Sequence, residues 1–294
     1  MNYIRSPMNY TGGKYKILNY IIPTFHDGIN SFVDLFAGGL NVGINIDANT
    51  IYVNDRISYV IDLYRYFRDN NTDTIISEIK SRIKEHCLSN ANQDSYHAFR
   101  DHYNETKDIL DLFILSCFSY NHQIRFNNDL QFNATFGLRS YNDSIEENLI
   151  RFCDALHKKN YVFSDYDFRQ FNYQCLKRED IVYCDPPYLI SLASYNDGTR
   201  GFGNWTKQDD KDLFNILDDL NSNGIQFALS NVTHHRGLVN EELIKFSNKY
   251  NVTEVNKQYI DCSHNLKDRW AKTVEVLITN YDVGIKPVKR NKLF

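Results

Sequence analysis

The sequence predicts an α/β fold built on a largely parallel sheet. Short apolar, β-like runs alternate with helical patterns at both ends of the chain. The first turn signals fall at the C-terminal ends of those runs, where open α/β sheets bind ligands. Between about residues 57 and 145 the alternation gives way to a stretch of different character, as an insertion would produce.

Taken in order, Pro7-Met8-Asn9-Tyr10-Thr11-Gly12-Gly13-Lys14 is a Gly-Gly-Lys turn opening an amphipathic helix. It is too short for the P-loop spacing. Ser31-Phe32-Val33-Asp34-Leu35-Phe36 reads as a buried strand running into the glycines of Ala37-Gly38-Gly39, and Ile51-Tyr52-Val53-Asn54-Asp55 as the next strand. Residues 57–120 read as successive helices, with apolar spacing at Ile75, Ile76, Ile79 and Ile83. The segment 124–136 turns strand-like, with a hairpin turn at Asn127-Asn128-Asp129. Strands resume at Tyr161-Val162-Phe163-Ser164 and Ile181-Val182-Tyr183-Cys184. Thr206 and Asp209 are spaced as a capping box for a helix to about Asn221; Gly224 stops it, and 225–229 is another strand. Runs near 252–260 and 273–280 suit an antiparallel pair at the sheet edge, and Lys286, Lys289, Arg290 and Lys292 form a solvated tail.

The 294 residues suffice for one large domain, or a core domain carrying a smaller one. No run approaches the ~20 apolar residues of a membrane span, and the N-terminus lacks a secretory h-region, so the cytoplasm is expected and no membrane partner. None of the six cysteines (87, 117, 153, 175, 184 and 262) forms a C-x-x-C pair; free thiols are expected and no metal. A net charge of -4 argues against a non-specific nucleic-acid coat, but leaves room for an enzyme with a locally positive cleft.

The strongest chemical signal is Asp185-Pro186-Pro187-Tyr188 directly after a buried strand. Paired prolines end the strand and stiffen the chain. They hold a carboxylate, a carbonyl and an aromatic ring in fixed relation. An aromatic amine offers two N–H donors: the Asp185 carboxylate and the Pro186 carbonyl can each accept one, and Tyr188 can stack on the base. Taken alone, the loop also reads as a rigid turn with a capping Asp. Asp34 to Gly39 brings backbone close to a ligand, or is an ordinary βα turn. Asp55 ends a strand where carboxylates hold ribose hydroxyls, or caps the helix near Arg56.

Together these features resemble the Dam-type (D12 class, alpha group) DNA adenine-N6 methyltransferases, in their phage-like or restriction-associated branch. The resemblance covers nearly the whole chain. It rests on the Tyr-Thr-Gly-Gly-Lys start, the Phe-Val-Asp-Leu-Phe-Ala-Gly-Gly loop, Val53-Asn54-Asp55, Asp-Pro-Pro-Tyr and Leu229-Ser230-Asn231-Val232, in that order. It implies a Rossmann-like, S-adenosylmethionine-dependent methyltransferase sheet (1–56 and 146–294). A mostly helical target-recognition domain (57–145) is inserted, with a DNA-reading β-hairpin at about 119–139. Tyr10 and Lys14 would lie near the cofactor, with Asp34, Phe36 and Gly38 at its methionine end. Asp55 would hold its ribose, and Asp167 and Phe168 would contact its adenine ring. Asp185, Pro186 and Tyr188 would handle the target base, with Asp185 also bordering the cofactor. Ser119, Asn121, His122, Gln123, Arg125, Asn127 and Arg139 would meet DNA, Arg139 reading a guanine and Arg125 a phosphate.

The implied reaction is methylation of adenine N6 in double-stranded DNA after base flipping. GATC is the first expectation for the site, and a longer site of the GGATG type with a cognate restriction endonuclease the second. A monomer is expected. Three departures from the family pattern bear on the site sequence: a longer loop at 120–123, Thr135 where Pro is common, and an insertion at 197–204. An RNA base-amine methyltransferase shares the Asp-Pro-Pro-Tyr loop but lacks so long an insert. A catalytically silent DNA-binding regulator is disfavoured by two intact loops.

Overall fold

The computed structural model describes residues 3–10, 12–192, 205–255 and 273–283. Thr11, the insertion at 197–204, residues 256–260, Cys262 and the basic tail lie outside them. The strands among the described residues are β1 (Ile29–Asp34), β2 (Ala48–Asn54), β3 (Asn160–Ser164), β4 (Ile181–Cys184), β5 (Gln226–His235), β6 (Leu238–Val239), β7 (Asn251–Glu254) and β8 (Val274–Thr279). The helices are α1 (Leu18–Ile21), α2 (Ser58–Asp69), α3 (Thr72–Glu85), α4 (Gln93–Thr106), α5 (Ile109–Phe118), α6 (Asp143–Lys158), α7 (Leu189–Leu192), α8 (Lys207–Ser222) and α9 (Glu241–Ser247).

The sheet runs β3-β2-β1-β4-β5-β8-β7, with β6 folded back on β5. From β3 to β5 all pairings are parallel, and β8 is antiparallel to both neighbours. This is the expected Rossmann-like α/β sheet, and the late pair is antiparallel as expected, with β7 at the edge. Central β1 and β4 are almost wholly buried because helices cover both faces: β1 is buried at five of six positions and β4 at all four. Chain order reverses between β1 and β4, and at such a switch point the adjoining loops part to leave a crevice at the strands' C-terminal ends. Asp34 ends β1 opposite Tyr183, so the Asp185 loop begins two residues beyond that pair, on the rim of the crevice.

Local signals behave as the sequence indicated. Thr206 and Asp209 complete a capping box, and Gly224, at φ +74°, ends α8. Strand β5 runs on to His235, well past the expected end, because antiparallel β8 pairs with its polar extension as far as His234.

The insert packs into the sheet. One cluster joins Phe32, Ile51, Tyr161 and Tyr183 of the strands to Tyr64 and Phe67 of α2, Phe152 of α6, and Phe99, Leu112 and Phe132 further out. The core therefore does not divide at residue 57: α2 and α6 cover the sheet as well as carrying the insert. The hairpin expected at 119–139 has two isolated antiparallel bridges, Ser119 with Phe136 and Phe126 with Phe132, in place of a regular ladder. The Asn104 side chain of α4 substitutes for a strand partner, accepting from Phe132 N at 2.7 Å and donating to Phe132 O at 3.1 Å. Phe126 and Phe132 are buried against Tyr59 and Tyr103. No helix among the described residues is long and apolar enough to cross a membrane.

Asn54, 1% exposed, ties the crevice's edges together. Its Nδ2 donates to Leu35 O and Tyr166 O, while Oδ1 accepts from Ser164 Oγ and Tyr166 N. Asn54→Ala leaves these buried groups unpaired and should cost about 2–4 kcal/mol. A denaturation midpoint in urea within experimental error of the unsubstituted chain would contradict this bracket.

Candidate active site

Lys14, Asp185, Tyr188 and Glu275 form one polar cluster at the crevice, with Lys14 and Glu275 buried and Asp185 and Tyr188 half-buried. Lys14, 5% exposed, sits with Nζ 2.7 Å from Asp185 Oδ1 and 3.7 Å from Glu275 Oε1. It also donates to Gly12 O at 3.1 Å and lies 5.0 Å from the centre of the Tyr188 ring. Tyr188 Oη donates towards Asp185 Oδ1 at 2.9 Å and Glu275 Oε1 at 3.2 Å. Oδ1 of Asp185 is thus held from two sides. Oδ2 has no protein donor among the described residues, so one carboxylate lobe is oriented and the other is available. Burial pushes the Asp185 carboxyl up, Lys14 pulls it back down, and Glu275 pushes it up again.

Around this cluster lies the loop after β1. Asp34 Oδ2 accepts Gly43 N–H at 2.9 Å. Burial raises the Asp34 carboxyl to about 7, against the Gly43 hydrogen bond and with help from Asp185 and Asp55. Asp55 accepts Gly38 N–H at 2.7 Å and Ile57 N–H at 2.9 Å; it closes the glycine loop and makes the turn into α2 with the same carboxylate. Gly38 has φ +47°, and a Cβ there would lie 2.9 Å from Cε1 of Tyr10, so the missing side chain lets that ring lie on the loop.

The folded chain holds a proton on Asp34 over a range where the unfolded chain, with its ordinary carboxylate, has released it. This group's contribution to stability therefore falls as pH rises from about 4 to about 7. Asp34→Asn keeps an acceptor for Gly43 and carries no charge. It should flatten that part of the stability–pH profile and raise the denaturation midpoint at alkaline pH; an unchanged slope would contradict the assignment.

On the other face of the sheet, Phe36, Phe168 and Trp205 form an aromatic trio with ring centres 5.4–5.6 Å apart. Trp205 Nε1 is fixed by Asp210 Oδ1 at 2.7 Å. Beside this trio Asp167 caps Arg169 N and pairs with the Arg169 guanidinium, which lies 4.4 Å from the centre of the Phe168 ring and also binds Asp209 and Asp212 of α8.

The hairpin separates the expected DNA contacts into two groups. Asn121, Gln123, Arg125 and Arg139 are exposed and His122 is half-buried. Arg139 lines a cavity of about 450 Å³ with Tyr120, Asn121, Phe136, Gly137 and Leu138. Gly137 lies so close to the Ser119–Tyr120 backbone that a Cβ would approach within 2.7 Å. Ser119, in contrast, is fully buried, and its hydroxyl bonds within the chain, 2.8 Å from Gln123 O and 3.1 Å from Ser116 O. In this position it holds the hairpin. The Asn127 side chain is taken up by the turn, accepting from Asp129 N and Gln131 N. Arg125 is engaged by Asn133.

A family model for D12 class N6 adenine-specific DNA methyltransferase matches residues 10–260. The chain belongs to this family. Among its relatives, Type II methyltransferase M.FokI of Planomicrobium okeanokoites is 46% identical over 282 residues, covering 95% of this chain and 43% of the relative. Modification methylase StsI of Streptococcus sanguinis is 44% identical over 285 residues, with coverage of 95% and 43%. DNA adenine methylase of Escherichia coli K12 is 25% identical over 296 residues, covering 97% and 99%. The chain thus spans less than half the length of the first two.

In this D12-class chain the sequence assigned no individual role to Asn9, Tyr120, Trp205 or Glu275. Asn9 Nδ2 donates to Asn121 O at 2.7 Å, linking the segment beside Tyr10 to the hairpin. Tyr120 and Leu138 are 60% and 81% exposed, large apolar groups at the hairpin surface. Glu275 did leave a signal, a single carboxylate within the otherwise apolar run of β8.

Proposed function

We propose that this chain transfers a methyl group from S-adenosylmethionine to the N6 amine of adenine in double-stranded DNA. The observation that carries the reading is the oriented Asp185 carboxylate at the switch point, with Oδ1 held by Lys14 and Tyr188 and Oδ2 open. One amine N–H is accepted by Asp185 Oδ2 and the other by the Pro186 carbonyl. These two bonds draw the nitrogen's lone pair out of conjugation with the ring. A base stacked on Tyr188 takes the face opposite Lys14.

The residues suit the cofactor's chemistry: aromatic rings at Phe36, Phe168 and Trp205 for a purine, the Asp55 carboxylate for ribose hydroxyls, and Asp34 and the Gly38 loop for the amino-acid end. When bound, the cofactor supplies an electrophilic methyl group on a sulfonium. The protein's part is positioning and polarisation. The target amine lies inside a duplex, so the base must be extruded at a cost of a few kcal/mol. Exposed Tyr120 and Leu138 can fill the gap, while Asn121, His122, Gln123 and Arg139 read the flanks.

The higher identity to a Type II methyltransferase and a modification methylase than to the DNA adenine methylase supports a role in restriction–modification beside a cognate endonuclease, and with it the GGATG-type site over GATC. The test of the reading is transfer of label from methyl-labelled cofactor to duplex DNA, with rRNA alongside. Label on adenine of DNA supports it; label on rRNA alone would favour the RNA reading.

A further inference from the structure

Glu275 reaches the catalytic loop from β8, far away in sequence and on the antiparallel side of the sheet. It is 7% exposed, shares Tyr188 Oη with Asp185, and stands 3.7 Å from the Lys14 ammonium that Asp185 holds at 2.7 Å. Among the described residues the cluster therefore contains two carboxylates and one ammonium. Lys14 stands between the two carboxylates and can exchange one for the other by a small shift.

We infer that Glu275 is a positioning residue for methyl transfer, which receives Lys14 when Asp185 takes up the proton of the methylated amine. The inference rests on the proposed reaction. As the N–C bond forms, the nitrogen lone pair becomes the new bond and the electrons of the old C–S bond remain on sulfur. The amine nitrogen becomes positively charged and must lose one of its protons. Asp185 Oδ2 is the adjoining base; once protonated there, Asp185 is neutral and no longer balances Lys14. A movement of Lys14 by about 1 Å brings Nζ within hydrogen-bond reach of Glu275 Oε1. The buried charges then remain paired, and the Tyr188 hydroxyl keeps an acceptor throughout. Before transfer, the Asp185 carboxylate beside the amine also favours positive charge growing on its nitrogen.

Removing Glu275 should change chemistry more than binding. Among the described residues, the charged or titratable groups around Asp185 are Lys14 from the N-terminal segment, Asp34 of β1, Tyr183 and Cys184 of β4, Tyr188 of the catalytic loop and Glu275 of β8. Of these, Glu275 acts to raise the Asp185 carboxyl. Glu275→Gln is therefore expected to lower the single-turnover rate on the order of 10²-fold. It should also move the acidic limb of the rate–pH profile to lower pH, with dissociation constants for cofactor and DNA changed by less than about threefold. Glu275→Asp, which restores the charge at shorter reach, should recover part of the rate. An unchanged rate and acidic limb in Glu275→Gln overturns the inference. So does loss of rate in both variants together with loss of cofactor binding, which would mark a purely structural role. A wild-type chain that binds and methylates no duplex DNA overturns the functional reading itself.

Discussion

Asp185→Ala is expected to reduce methyl transfer to duplex DNA by about 10³-fold or more, with the fold retained. A single preorganised partner of the reacting group is typically worth 10²–10³-fold, and proton acceptance adds to that. Asp185 combines both tasks in Oδ2, because Lys14 and Tyr188 occupy Oδ1. Stability should survive. The carboxyl is held above its ordinary value by burial, so its ionised form is not a net stabiliser, and Lys14 retains Glu275 within reach after truncation. The measurement is single-turnover transfer at saturating cofactor and DNA, with the thermal midpoint taken in parallel. A variant that keeps its fold and transfers at the wild-type rate would remove Asp185 from the chemistry.

Arg139→Ala should act on a different quantity. A bidentate arginine–guanine contact is worth ~1–3 kcal/mol of discrimination, or about 5- to 150-fold. Arg139 is exposed on the hairpin cavity and has no protein partner holding its guanidinium among the described residues. The alanine variant should lose preference for the correct base at one position of the site while still methylating relaxed sites. Arg125→Ala provides the contrast: its guanidinium spans the hairpin to Asn133, so its loss should weaken binding at all sites, through a looser hairpin as well as any lost phosphate contact. Unchanged site preference in Arg139→Ala, scored across a library of flanking bases, would reassign the reader.

Legibility in the sequence followed the range of each interaction. Strands β1 and β4 were visible because an apolar run followed by a turn is a local pattern, and the Thr206–Asp209 cap because its two partners are three residues apart. The polar end of β5 was not visible: its partner β8 lies about forty residues away and decides where the strand stops. Asp185, Tyr188 and the Gly38 loop could be found because each carries its own stiffening or its own glycine. Contacts between distant segments could not. Tyr188 meets Glu275 across 87 residues and Asn9 meets Asn121 across 112, and no spacing rule connects them. Burial of Ser119 was equally hidden from the sequence. A hydroxyl within a DNA-reading motif looks like a base contact, but the end of α5 buries it and carbonyl oxygens of its own chain engage it. The two-domain division was drawn from a change in pattern, whereas the core runs through α2 and α6 without a break.

The central claim is most directly tested by locating the transferred methyl group. Plasmid DNA incubated with the purified chain and S-adenosylmethionine should be sequenced by a method that reports modified bases. N6-methyladenine confined to one short sequence containing GAT, and absent with Asp185→Ala, is the predicted result. Methyl groups on cytosine, or none on DNA while structured RNA is modified, would contradict the account.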